Sequence, residues 1–375
     1  MPPRVLILTA SVGEGHDLPA RTLAAQLRSE RPGTEVVIED GLTAMGPVLV
    51  AVGHDGVRLT LDRHQWVYDI SYGLFARFAP VRRLSQELLG LVGSRGLGKL
   101  VDTVKADIVV SVYPVTTEVL GWMRRRGLLR IPACAAVTDL SALRYWAARG
   151  IDLHLLTHSE SIAEVRRVAG PYTEIRCVHG LTSPDFAEPR DPGEARSALD
   201  LPSDGKVVVV SGGGWGVGDL LGAVEVALAV DGVTQVVCLC GRNADARNRL
   251  ERRFGASPSV RVVGFTEAMG DWLAAGNALV HSTAGLTILE AHIRGCPAIS
   301  YGWGRGHIRL NNAAFRRFGL AEVATTRAEL AAALRTALRS RPAPDPTYAA
   351  LPSAASFVLA YADRARRRSP DDLPV

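Results

Sequence analysis

The sequence predicts an α/β protein of two Rossmann-like domains, each built on a parallel sheet, with its chemistry in a central cleft. Three observations predict this. A length of 375 residues is more than one ordinary core holds and suits two domains. Strand-like and helix-like runs alternate, as in parallel sheets joined by right-handed crossovers. A sheet also starts twice. Arg4–Thr9 (RVLILT) breaks into Ser11-Val12-Gly13-Glu14-Gly15-His16, and about two hundred residues later Lys206–Ser211 breaks into Gly212-Gly213-Gly214-Trp215-Gly216.

After Arg4–Thr9 a helix over 18–29 carries Leu23, Leu27 and several alanines on one face and ends at Arg31-Pro32-Gly33. A strand over 35–39 follows. From Leu42 to Leu100 the alternation breaks, with few β-like runs and many aromatics and arginines. It resumes with a strand over 108–112, a helix around 117–125, strands over 133–138 and 154–157, a helix over 161–168 and a strand over 175–178. The proline-rich stretch 182–202 reads as a linker. The second domain runs from strand Lys206–Ser211 through helix 219–230, strand 235–240, helix 245–254, strand Val260–Val263 and helix Met269–Ala275. It continues with strand Ala278–His281, helix 286–294, strand Ala298–Tyr301 and helix 327–338. Pro342, Pro344 and Pro346 precede a last helix near 353–368. The domains are thus 1–183 and 184–345, with 346–375 a linker and a helix able to pack back on the first.

Hydrophobic residues make up 47 % and charged residues 22 %, the composition of a soluble globular protein. No apolar run reaches the roughly 18 residues of a membrane-spanning helix. The first residues lack signal-peptide architecture, so a cytoplasmic protein is expected. Cys134, Cys177, Cys238, Cys240 and Cys296 form no C-x-x-C pair and are expected as buried, reduced thiols. The net charge of +5 is uneven, because residues 56–130 alone carry a +6 excess. That excess speaks for an anionic surface or substrate. No helix-turn-helix, zinc-finger or RNP pattern accompanies it, so no nucleic-acid partner is expected.

Ligands of open α/β sheets bind outside the carboxyl ends of the strands, where His16 falls. Gly13 and Gly15 allow a ligand to approach closely. An imidazole there suits a general base near neutral pH, though a structural histidine remains open. Gly212–Gly216 lacks the G-x-G-x-x-G register, yet its amides and the helix after it can hold a diphosphate. The alternative is a flexible turn. In His281-Ser282-Thr283-Ala284-Gly285-Leu286-Thr287-Ile288-Leu289-Glu290, hydroxyls and helix-start amides suit phosphates, and Glu290 one turn in can accept ribose hydroxyls. Alternatively, Ser282 caps the helix and Glu290 lies on a solvated face. No two aspartates are separated by one residue, so no D-x-D holds a metal–diphosphate complex. His154, His158 and His179 fit no zinc spacing and read as structural or surface residues.

Together these pieces resemble the monogalactosyldiacylglycerol synthases and bacterial processive diacylglycerol glycosyltransferases and, more distantly, the MurG-type N-acetylglucosaminyltransferases. The resemblance spans nearly the whole chain. It rests on the Ser11–His16 loop, Tyr113-Pro114, Val137-Thr138-Asp139 with Trp146, Gly180 and the Gly212–Gly216 loop. It continues through Cys240-Gly241-Arg242-Asn243, Gly264-Phe265 with Met269, Gly285-Leu286-Thr287 to Glu290-Ala291, Gly295-Cys296-Pro297 and Asn311-Asn312-Ala313. It implies a GT-B fold, with an acceptor in the first domain, a UDP-sugar in the second, and inverting transfer without a cofactor or bound metal. His16 would then take the acceptor's proton and Asp139 would orient the base or the acceptor. Phe265 and Met269 would meet uracil, and Glu290 the ribose. Gly213, Gly214, Trp215, Ser282, Thr283, Ala284 and Gly285 would meet the diphosphate, with Asn243, Thr287, His307 and Asn311 also at the donor.

Two departures stand out. The family's Lys-Pro-Gly-Gly before the donor helix is Ser282-Thr283-Ala284-Gly285 here, which removes a charge. Its Pro-Gly-Gln-Glu, facing the sugar, corresponds to Gly304-Arg305-Gly306-His307. The aberrant segment adds a membrane expectation. Val67, Ile70, Leu74, Phe78 and Val81 recur at helical spacing, with Pro80 expected to break or kink the helix. Trp66, Tyr68, Tyr72 and Phe75 interleave with Arg63, Arg77, Arg82 and Arg83, a mix suited to an anionic lipid interface or to completing the core. With Gly13, Gly15 and Trp146, the residues Trp66, Phe75, Arg77, Arg82 and Arg83 form the expected acceptor and membrane side. The expected partners are a UDP-sugar, a lipid acceptor and the inner face of the plasma membrane. A soluble natural-product acceptor and a non-catalytic UDP-sugar sensor are the alternatives.

Overall fold

A computed structural model of the 375-residue chain describes residues 2–10, 14–51, 79–141, 143–282, 285–302 and 307–367. The chain divides into two compact units, one of residues 1–183 with 351–375 and the other of 184–350. Each unit holds a six-stranded sheet. These are the parallel α/β sheets that the alternating pattern predicts, in the two-Rossmann arrangement that the family resemblance implies.

In the first unit, β1 (Arg4–Thr9), β2 (Glu35–Asp40), β3 (Ile108–Ser111), β4 (Ala133–Val137), β5 (Leu153–Leu156) and β6 (Glu174–Cys177) pair in the order β2-β1-β3-β4-β5-β6, all parallel. Alternate side chains of a strand point to opposite faces. Val5 and Ile7 therefore join Leu23, Leu27, Val358 and Leu359 in one core, while Leu6 and Leu8 join Leu97, Leu120 and Trp122 in the other. Burial on both faces is why β1 reads as a continuous apolar run. The helix Ala354–Arg367 returns to this unit, and the guanidinium of Arg31 holds the Asp363 carboxylate through two hydrogen bonds of 2.7 and 2.9 Å. The first helix already begins at Glu14, earlier than the pattern suggests. Glu14 and Asp17 in its first turn favour the positive end of the helix dipole.

Prolines mark helix starts more often than breaks. Pro80, expected to break or kink the run, is the second residue of the long helix Ala79–Val104, where its missing N–H costs nothing. The rest of the expected amphipathic run, 67–78, lies outside the described residues, as do Trp66, Phe75 and Arg77. The helix Ala79–Val104 packs through glycines: a Cβ on Gly90 would strike the Trp122 ring, one on Gly93 the Met45 sulfur, and one on Gly96 the Ala44 carbonyl. Its outer face instead exposes Leu84, Leu88, Leu91 and Val92 by 62, 53, 65 and 46 %. Among the described residues no helix is long and apolar enough to cross a membrane.

The second unit contains β7 (Lys206–Ser211), β8 (Val233–Leu239), β9 (Val260–Val263), β10 (Ala278–His281), β11 (Ala298–Tyr301) and β12 (Glu322–Ala324), ordered β9-β8-β7-β10-β11-β12 and parallel throughout. This is the 3-2-1-4-5-6 order of dinucleotide-binding sheets, whose direction reverses between β7 and β10. The helix His307–Phe318 and β12 were not foreseen; their short apolar runs sit among glycines and arginines. The stretch 182–202 is not a bare linker. Asp191 caps the helix Pro192–Ala198 by accepting the Gly193 and Glu194 N–H groups at 2.8 and 2.9 Å. Arg196 of that helix donates to the Ser203 carbonyl at 2.8 Å and to Asn277 Oδ1 at 2.8 Å, which ties the segment to the second unit. All five cysteines are free thiols.

Candidate active site

In the first unit the sheet direction reverses between β1 and β3. Side chains from the ends of β1, β3 and β4 meet at this point. His16, in the first turn of the helix Glu14–Glu30, places Nδ1 2.9 Å from the carbonyl oxygen of Val112, just past β3. A carbonyl only accepts, so Nδ1 carries the proton and Nε2 is the basic nitrogen of the neutral ring. The Val112 carbonyl sits in a stiff turn. Ser111 Oγ and Thr116 Oγ1 each donate to the Tyr113 carbonyl at 2.8 Å, and Pro114 opens the next helix. The helix start is pinned as well. Thr9 Oγ1 donates to Asp17 at 2.8 Å, while burial pushes the Asp17 carboxyl upward.

Aromatic rings flank the imidazole. Tyr113 stands edge-on at a centroid distance of 5.0 Å, and Trp146 lies at 5.6 Å with an interplanar angle of 35°. Trp146 Nε1 donates to Asp139 Oδ2 at 3.1 Å. The described contacts thus hold His16 through Val112 and bring Asp139 to it by way of Trp146. Trp146 is only 3 % exposed and belongs to the imidazole's surroundings. A Cβ on Gly15 would meet nothing within 4 Å, so packing does not demand glycine there and space remains beside His16. Gly13 lies outside the described residues. Arg83 is exposed and Arg82 half-buried on the helix Ala79–Val104. Of the histidines with no zinc spacing, His154 is structural: it is buried, its Nδ1 lies 2.8 Å from Thr173 Oγ1, and burial pushes its pKa down to about 3.

In the second unit the glycine loop after β7 and the start of the helix Leu286–Ile293 after β10 flank the reversal point. The loop is a fixed cradle. The Gly216 N–H donates to the Gly213 carbonyl at 3.0 Å and the Val217 N–H to the Gly212 carbonyl at 2.9 Å. A second loop, after β8, buttresses it. The Arg242 N–H donates to the Gly214 carbonyl at 2.8 Å and Asn243 Nδ2 to the Gly216 carbonyl at 3.0 Å. Asn243 Oδ1 also caps the helix Ala244–Phe254 at 2.9 Å. Asn243, expected at the donor, is therefore occupied in shaping the loop. Gly241 has a φ of +56°, and a Cβ there would run into the Gly213 and Gly214 carbonyls. Sequence reading names Gly241 only as part of a shared motif; the folded contact with the glycine loop gives it its role.

Ser282 Oγ is buried with no hydrogen-bond partner among the described residues, at the reversal point and against Gly218. Glu290 is 4 % exposed, which rules out the solvated-face alternative. Gly285 precedes the helix with a φ of +94°, and Thr287 is half-buried in its first turn. Trp215 and Phe265 are exposed by 43 and 41 %, Met269 is half-buried, and the Arg242 guanidinium lies 3.7 Å over the Phe265 ring. Asn311 is fully buried on the helix His307–Phe318. Thr283 and Ala284 lie outside the described residues, and of His307 only its place at the helix start is described. Among the described residues no group of three or more His, Cys, Asp or Glu is placed to hold a metal ion.

The model of the monogalactosyldiacylglycerol (MGDG) synthase family matches residues 16–178. Processive diacylglycerol beta-glucosyltransferase of Staphylococcus saprophyticus is 24 % identical over 325 residues, covering 86 % of this chain and 81 % of the relative. Its Bacillus subtilis counterpart is 24 % identical over 302 residues, covering 80 % and 77 %. Among solved structures, Acinetobacter baumannii MurG matches with a TM-score of 0.57 and 15 % identity, over 97 % of this chain and all of that one. The UDP-GlcNAc 2-epimerase of Neisseria meningitidis matches equally well, with a TM-score of 0.59 and 11 % identity over 95 % and 98 %. Shape alone therefore fixes the fold and not the reaction, whereas the sequence relatives are transferases. The chain is a glycosyltransferase of the GT-B fold, similar to the MGDG synthases across most of its first unit and to the processive diacylglycerol glucosyltransferases over most of its length.

Proposed function

We propose that the chain moves a hexose-type sugar from a UDP-sugar to the hydroxyl of a diacylglycerol-type lipid, with inversion and without a bound metal. The observation that carries this reading is the His16 imidazole, fixed by Val112 with Nε2 as its basic nitrogen at the strand ends. The acceptor hydroxyl gives its proton to Nε2 as its oxygen bonds to the anomeric carbon. The bond from that carbon to the β-phosphate oxygen breaks, and UDP leaves with the electron pair. One displacement of this kind inverts the anomeric centre. The amides of the glycine cradle, the Ser282 hydroxyl and the start of the helix Leu286–Ile293 take the diphosphate charge. Glu290 accepts the ribose hydroxyls and Phe265 meets uracil. The names of the sequence relatives support a diacylglycerol acceptor.

The exposed leucine face of the helix Ala79–Val104 supports work at a bilayer, in this proposal the inner face of the plasma membrane. Four large apolar side chains point to solvent, and Arg95 and Lys99, both exposed, follow on the same helix. Purified protein incubated with UDP-glucose, UDP-galactose or UDP-N-acetylglucosamine and diacylglycerol vesicles tests the reading through its lipid products. Glycosylated diacylglycerol from one donor supports it. Sugar transfer only to a water-soluble alcohol, or UDP binding with no transfer, would replace it with one of the alternatives.

A further inference from the structure

We infer that Trp146 and Asp139 act as a relay that stabilises the imidazolium of His16, with the Asp139 carboxylate acting on the base through the indole it polarises. The inference rests on His16 being the base. Accepting the acceptor's proton at Nε2 makes the ring a cation. The Trp146 ring, with its centroid 5.6 Å away, lies within the range at which an aromatic face attracts a cation. Asp139 Oδ2 accepts the indole N–H at 3.1 Å, with Trp146 3 % and Asp139 9 % exposed. A carboxylate on the indole N–H pushes electron density into the ring, and shielding from water strengthens both links of the chain. The Nδ1 bond to Val112 already sets ring orientation and tautomer, so the relay has charge and not alignment as its task.

Among the described residues, the other charged or titratable groups near the imidazole come from its own helix, the ends of β3 and β4, and the short helix after β4. On its own helix, Glu14 pairs with Arg21 at 2.7 Å and Asp17 takes the Thr9 hydroxyl. The end of β3 brings Tyr113. The end of β4 brings Asp139, and the short helix Leu143–Trp146 brings an exposed Arg144 and a half-buried Tyr145. Asp139 is the buried carboxylate joined to a ring that faces His16. Both Trp146 and Asp139 are positioning residues for the base, since they act through it.

The experiment is an NMR titration of the His16 ring protons in the free full chain, for the native protein, Trp146→Phe, Asp139→Asn and the double variant. The pH profile of kcat/KM is measured alongside. Both single variants should lower the His16 pKa by about half a unit, the scale of one cation–π contact, and move the acidic limb of the profile with it. Asp139→Asn should add nothing once Trp146 is Phe. An unchanged His16 titration in the two folded single variants overturns the relay. So does a full Asp139→Asn shift that persists in the Trp146→Phe background, because the carboxylate would then act on His16 directly. The titration needs no turnover, so failure of the relay is distinguishable from failure of the base assignment, which appears as normal turnover in His16→Ala.

Discussion

His16 Nδ1 and the main-chain oxygen of Val112 lie 2.9 Å apart, and this contact joins the first turn after β1 to the end of β3. The acceptor in this bond is a backbone group, so no side-chain substitution at Val112 removes it. The imidazole is therefore held by the sheet itself, at the point where strand order reverses.

Removing the imidazole tests it most directly. His16→Ala should lower turnover by about two to four orders of magnitude, the usual worth of a general base. UDP affinity measured by calorimetry should stay near the native value, because the proposed donor residues belong to the second unit. Near-native turnover would remove His16 from the mechanism.

Glu290→Gln keeps the volume of a buried side chain while removing its charge. Hydrogen bonds to charged groups are worth about 1.5–3 kcal/mol, so UDP should bind at least roughly tenfold more weakly. Ser282→Ala should weaken UDP by a smaller factor, since a neutral hydroxyl contributes about 1 kcal/mol. Unchanged isotherms would place both residues outside the donor site. EDTA should leave turnover intact.

The buttress behind the glycine cradle predicts an effect at a residue that need not touch ligand. Gly241→Ala adds a Cβ facing the Gly213 and Gly214 carbonyls in a left-handed conformation. Stability should fall by about 2 kcal/mol, within the range for strain at a special φ/ψ. UDP affinity should fall as the loop shifts. Native thermal unfolding and native affinity together would refute the buttress.

Glu118 makes stability depend on pH. It is 8 % exposed; burial raises its carboxyl from an ordinary 4.5 to about 7, opposed by a 2.9 Å hydrogen bond from Gln86. Between those values the folded protein keeps a proton that the unfolded chain has released. Stability should therefore fall as pH rises through this window, by about 3 kcal/mol at most. Glu118→Gln should flatten that slope in denaturant unfolding at pH 5, 6, 7 and 8. An identical slope in the variant would assign it elsewhere.

The leucine face predicts salt-resistant vesicle binding. Replacing Leu88 and Leu91 with Ser removes two exposed apolar side chains, each worth about 1.5–3 kcal/mol on burial. Sedimentation with vesicles containing phosphatidylglycerol at high salt should drop accordingly, with UDP affinity unchanged. Replacing Arg83, Arg95 and Lys99 should weaken only the component that salt screens. Equal sedimentation by native and Leu→Ser proteins would direct attention to other surfaces.

The sequence by itself determined the α/β class, the double restart of the sheet and most strands, because strands buried on both faces are continuous apolar runs bounded by glycine and polar turns. β1, β7, β9, β10 and β11 have the limits their apolar runs suggest. It also placed His16 and the glycine loop at strand ends and Glu290 one turn into the following helix, since those are local features of chain order. Only the tertiary structure decided what each of them touches. Asn243 reads like a ligand contact, yet it spends its amide on the Gly216 carbonyl and a helix cap. Trp146, placed by sequence on the acceptor side, is buried against His16, a contact that sequence does not show. The helix Ala79–Val104 departs from the usual reading of periodicity: Gly90, Gly93 and Gly96 face the core beside Leu97, where close approach needs them, while Leu84, Leu88 and Leu91 face outward. Burial, pairing and close approach depend on residues distant in sequence, so local pattern and propensity do not encode them.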